Sequence, residues 1–150
     1  MHRIPAFFLL LAISLLGCNN TPAPTPSSED EVDALLQIQN AVIADVDTFF
    51  LSFSDTNYCV TDCYNKLGLT LNNALLSYKD LSDNHYDKEL KNASLNVCLT
   101  IRDLYQHQFQ QMVALDSALN ISFSESQQQC FDSLADDCFV KIEQAQNLVK

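Results

Sequence analysis

Between Val32 and Phe53 the apolar residues Val32, Leu35, Leu36, Val42, Ile43, Val46, Phe49, Phe50 and Phe53 recur mostly at three- and four-residue steps. That period puts them on one face of a helix, and only Gln39 breaks the stripe. Just ahead lies Ser28-Glu29-Asp30-Glu31, a capping-box pattern in which Ser28 and Glu31 satisfy free amide donors at a helix start. A second stripe, Val60, Tyr64, Leu67, Leu71, Leu75 and Tyr78, predicts a second helix with Thr61 or Asp62 as its cap. Gly68 costs a helix interior about 1 kcal/mol relative to alanine, so it marks either a close helix crossing or a break.

Leu81 to Asn84 reads as a turn. From about His85 the positions Tyr86, Leu90, Val97, Ile101, Leu104, Met112, Leu115 and Leu119 predict the longest helix. The polar stretch Gln106 to Gln111 interrupts its apolar face, with Gln108 where a hydrophobic residue belongs. That gap fits either a helix projecting past its neighbours or a buried polar layer or groove for a partner helix. Two overlapping capping boxes follow Asn120, Ser122 to Glu125 and Ser124 to Gln127. Behind them Phe131, Leu134, Cys138, Ile142, Ala145 and Leu148 mark a fourth helix.

From Glu29 to Lys150 there is no proline and one glycine. A sheet protein of this size needs many tight turns built from those residues, so their scarcity argues for helices. The expected fold is all-α, an antiparallel up-down four-helix bundle stabilised by disulfides, with residues 29–150 forming one domain.

The start of the chain is different. A charged tip, Met1-His2-Arg3, precedes an apolar run from Ala6 to Leu16 interrupted only by Ser14. That is the pattern of a signal peptide, expected over residues 1–17. Its run of about eleven residues is too short for a bilayer core, no later segment comes closer, and no transmembrane helix is expected.

The run ends in Leu15-Leu16-Gly17-Cys18, which resembles the lipobox of bacterial lipoproteins. Ordinary secretory cleavage prefers small residues at the first and third positions before the cut, and Leu15 fits that badly. The resemblance implies cleavage before Cys18, lipid on its thiol and attachment to the cell envelope. Asn19 after the cysteine implies the outer rather than the inner membrane. Thr21-Pro22-Ala23-Pro24-Thr25-Pro26 with Ser27 and Ser28 then forms a tether, which would reach about 25 Å in extended form.

Charge narrows the partners. The chain carries a net charge of −11, and removal of residues 1–17 takes Arg3 away, leaving seven basic against 19 acidic residues. So acidic a chain repels nucleic acid and anionic lipid, and a charge-steered protein partner would be basic.

An exported compartment allows disulfides, so Cys59, Cys63, Cys98, Cys130 and Cys138 are expected to pair rather than to catalyse or bind metal. Up-down topology puts Cys59, Cys63 and Cys130 near one end of the bundle. Counting along the helices, Cys98 stands about 30 Å and Cys138 about 20 Å from that end. The expected bridges are Cys98 to Cys138, and Cys130 to either Cys63 or Cys59; a Cys63 to Cys98 bridge would contradict the topology. Assigning Cys18 to lipid leaves an odd thiol, which is either free and buried, an intermolecular bridge making a homodimer, or redox-active. Cys59 and Cys63 have three residues between them, not the two of thioredoxin-like sites.

Motifs for chemistry are scarce. The haem-attachment pattern and the Glu-x-x-His pair of di-iron bundles do not occur. Asp103 and His107, four residues apart, could share a metal, but no third ligand is placed with them and a solvated pair is expected. Glu29-Asp30-Glu31 sits where acids favour a helix start, and the side chains of Asp136 and Asp137 diverge by about 100° on a helix. No phosphate loop or nucleophile elbow is written in the chain. The expectation is a non-enzymatic, lipid-tethered module that binds another protein, with neither cofactor nor metal. The alternatives are a small-ligand carrier, with a cavity among Phe49, Phe50, Phe53, Tyr64 and Tyr105, and a disulfide-linked structural dimer.

Overall fold

A computed structural model describes residues 28–81, 88–117 and 124–149. Among them the fold is all-helical, a helical bundle without strands. The helices are α1 (Ser28–Leu51), α2 (Val60–Asp80), α3 (Lys88–Leu104), α4 (Gln110–Ser117) and α5 (Glu125–Gln146). A π-helical turn, Tyr105–Phe109, joins α3 to α4 without a loop, so the two make one long helix. The signal, lipobox and tether through Ser27, the His85 start of the third helix and the Ser122 capping box lie outside the described residues.

The stripes of α1 and α2 face each other and α3. Leu35, Val42, Val46 and Phe49 from α1 meet Leu67, Leu71 and Tyr78 from α2 and Val97, Cys98 and Ile101 from α3, all buried. Each of these three helices packs on the other two. α5 packs mainly on α3 and also on α4, and its rings reach Phe50 of α1 through Phe139, and Phe53 in the turn after α1 through Phe131. α5, laid along the long helix, adds Cys138, Ile142 and Ala145 to the same core.

Gln39, the one polar residue in the stripe of α1, is buried where the three core helices meet. Ser94 donates to its Oε1 at 3.0 Å and in turn accepts from the Tyr78 hydroxyl, whose one proton is shared between Ser94 Oγ and the carbonyl of Leu35 at 3.3 Å. A buried polar group is tolerated when it is bonded, and this set ties one point on each helix to the other two. A second tie joins α1 to α2: buried Asp45 accepts from Thr70 at 2.6 Å and from Lys66 at 2.7 Å.

Gly68 marks a crossing and not a break. α2 runs through it unbroken, and a Cβ there would collide with the hydroxyl and ring of Tyr105. Tyr105 in turn stacks on Tyr64, with centroids 4.2 Å apart, and its carbonyl accepts from the Tyr64 hydroxyl.

The polar gap in the long helix has a geometric answer. A π turn takes about one residue more than an α turn, so the core positions step from Leu104 to Phe109 and then to Met112, all three fully buried. Phe109, which the three-and-four spacing omits, is a central core residue. Gln106, His107 and Gln110 are turned to the exposed side.

Some ends differ from expectation. α2 starts at Val60 behind Cys59, whose side chain makes no capping bond, so Thr61 and Asp62 stand inside the first turn. Of the two capping boxes before α5, Ser124 and Gln127 form the reciprocal pair. α5 ends at Gln146, which leaves Leu148 67% exposed instead of in the core. Val32–Leu51 is long and apolar enough to cross a membrane by length and composition alone, which corrects the expectation that nothing after the signal comes closer. Its apolar face is covered by α2 and α3, and its outer face carries Asp33, Gln37, Asn40 and Asp47, groups that are costly in lipid.

Candidate functional site

The outer face of α5 is a candidate surface. Because it rests mainly on α3 and α4, much of its circumference faces outward. Phe139 and Val140 are 50% and 51% exposed and adjacent in sequence, their side chains about 100° apart, with one face of the Phe139 ring on Phe50. Around them on the same helix lie Asp132, Asp136, Asp137 and Glu143, all exposed. The one cation of α5, Lys141, is bonded to Asp137 at 2.7 Å, and that contact holds the Asp137 carboxyl below the usual carboxylate range. The result is an apolar centre with an acidic rim. Asp137 also accepts from Gln108 of the π turn at 3.1 Å, so the widened turn and the acidic face are joined. Gln108 thus meets α5, the neighbour its polar position leaves room for. Nothing in the sequence periodicity singled out Phe139 or Val140; they fall off the stripe, which is the signal that could have found them.

The five cysteines of the domain are all free thiols, and neither expected bridge is formed. For Cys98 and Cys138 the reason is register. Gln108 meets Asp137, and Gln111, Ala114 and Leu115 share a groove with Cys130 and Leu134. α5 therefore runs back along the long helix with Cys138 opposite the π turn, roughly 14 Å along the axis from Cys98. A disulfide needs Cα atoms within about 7 Å. Cys98 and Cys138 are instead buried thiols, pushed up by burial to about 11 and about 12. Cys63 is buried, whereas Cys59 and Cys130 are exposed. Cys18 lies outside the described residues.

The aromatic residues considered as a cavity wall pack on one another. Phe49 meets Phe50, Phe53, Tyr64 and Phe109 with centroids 4.9 to 6.2 Å apart. Phe109, Phe131 and Phe139 complete the cluster. Tyr64 is held in its phenol form by burial, which pushes it up to about 12. Interlocked rings of this kind fill space rather than enclose it.

Asp103 and His107 face each other at 3.5 Å on the exposed side, and His107 Nδ1 also lies 2.8 Å from the carbonyl of Asp103. Among the described residues no three metal-binding side chains converge. Comparison with protein families, with curated proteins and with solved structures gives no match.

Proposed function

We propose that the chain is a lipid-tethered protein of the bacterial cell envelope that acts as a non-enzymatic interaction module, and that the outer face of α5 is its contact surface. The single observation that carries the contact surface is the pair Phe139 and Val140, half exposed within an acidic rim. Apolar centres with polar rims are the anatomy of protein interfaces, and the sign of the rim asks for a basic partner. The envelope address rests on Leu15-Leu16-Gly17-Cys18 and the proline tether behind it.

The bundle is read as up-down. Asp45 to Thr70 and Leu35 to Tyr78 support opposite running of α1 and α2, and Tyr78 to Ser94 with Tyr64 to Tyr105 supports the same for α2 and α3.

The test is capture of partners from envelope extracts by wild-type chain and by Val140→Lys, at low and high salt. A partner lost in the variant and weakened by salt is the expected result. Capture that is indifferent to Val140 and to salt removes the α5 surface. A second reading, a covalent homodimer, is favoured by the exposed thiols of Cys59 and Cys130. A non-reducing gel that shows only monomer removes it.

A further inference from the structure

A second surface runs against the charge of the molecule. Where the end of α2 meets the start of α3, a cavity of about 480 Å³ is lined by Lys79, Lys88 and Lys91, over an apolar floor that includes Leu75, Tyr78 and Leu95. Only six Lys and Arg fall within the described residues, so half of the cations there converge on one opening. The distribution is not what an acidic chain does by default. Lys66 and Lys141 elsewhere are each matched to a carboxylate at 2.7 Å. Lys79 and Lys88 have no ion pair among the described residues. Of the described acids next to them in sequence, Asp80 and Glu89 are exposed and do not line the opening, because adjacent residues on a helix point about 100° apart.

Lys91 has a structural part. It is buried, and its Nζ donates to the carbonyl of Leu81 at 2.7 Å, fixing the end of α2 beside α3 and setting a positive charge in the wall. Tyr78 is also fixed, by its bonds to Ser94 and Leu35. The opening is thus framed by side chains that are already committed, with two ammonium groups at its rim that have no ion pair among the described residues. A cavity of a few hundred Å³ with an apolar floor and a small number of charged groups is the ordinary form of a small-molecule site.

We infer that this cavity binds a small amphiphilic anion, an acidic head held by Lys79 and Lys88 and an apolar body laid over Leu75 and Leu95. The overall charge of the chain does not forbid it. At physiological salt charges beyond roughly 8 Å are screened, so the ligand feels the local lysines more than the acids of α5. The head group could belong to a free carboxylate or to an acidic lipid, and the two share the same recognition.

The test is titration of the full chain with sodium decanoate below its micelle concentration, against decanol and decylammonium, and co-sedimentation with phosphatidylglycerol and phosphatidylcholine vesicles. Decanoate binding that weakens about tenfold or more in the Lys79→Gln/Lys88→Gln double variant is the expected result for a free ligand. Binding to phosphatidylglycerol vesicles alone, lost in the same variant, assigns the head group to a lipid. Asn92→Trp, at an exposed position of the lining, should block entry while leaving the helical circular dichroism unchanged. The inference is overturned if neither probe binds, if binding ignores both variants, or if decanol or decylammonium binds as well as decanoate.

Discussion

At Gly68 two effects of opposite sign compete. Alanine gains about 1 kcal/mol of helix propensity, but its methyl would enter the space of Tyr105, which is pinned by its stack on Tyr64. Overpacking against a fixed ring costs about 1 to 3 kcal/mol, so Gly68→Ala should lose roughly 1 kcal/mol net in urea denaturation. Tyr105→Leu in the same chain should recover much of that loss. The polar tie at Ser94 responds differently: Ser94→Ala leaves Gln39 and the Tyr78 hydroxyl buried without their shared partner, costing about 1 to 3 kcal/mol. Gln39 was visible in the sequence as a break in the stripe, but its purpose was not, because its partner Ser94 is 55 residues away on another helix.

Among the elements, the long helix is the one whose reading depends on its internal geometry. Removing Gln106 would restore an α-helical step between Leu104 and Phe109, so the chain should stay folded and helical by circular dichroism, with a modest drop in melting temperature. Removing Asn72 from α2 turns Leu75 and Tyr78 about 100° away from the core and should unfold the domain. A comparable loss for the two deletions would mean that the π turn is as rigidly required as an α-helical register. The four helical segments were legible because three- and four-residue spacing holds over most of their length. The π turn was not, since a five-residue step looks like a polar interruption until the core shows which residues it aligns.

For the whole molecule, burial of its weak acids sets a pH limit. Cys98 and Cys138 rise from 9 to about 11 and about 12, and Tyr64 rises from 10 to about 12, in each case mainly through burial; Tyr78 is raised as well. A group with a raised folded pKa contributes stability that is fully present below its unfolded value and is lost as pH climbs toward the folded one. The melting temperature should therefore be free of this effect up to about pH 9 and fall between about pH 9 and 12, and Cys138→Ala should make that fall shallower. In the native state at about pH 8 the thiol reagent DTNB should react quickly with Cys59 and Cys130 and slowly with Cys63, Cys98 and Cys138. Fast reaction at Cys138 would show that α5 opens locally.

By itself the sequence determined the helical class, the positions of the helices, most of the core and the acidic balance. Each of these follows from local spacing or from composition, which need no knowledge of neighbours. Only the tertiary structure decided that α5 lies along the long helix, leaving Phe139 and Val140 half exposed in an acidic rim, and that the lysines at the ends of α2 and α3 converge on one cavity. It also separated Cys98 from Cys138, because the alignment of two helices depends on contacts such as Gln108 with Asp137 that link residues far apart in the chain.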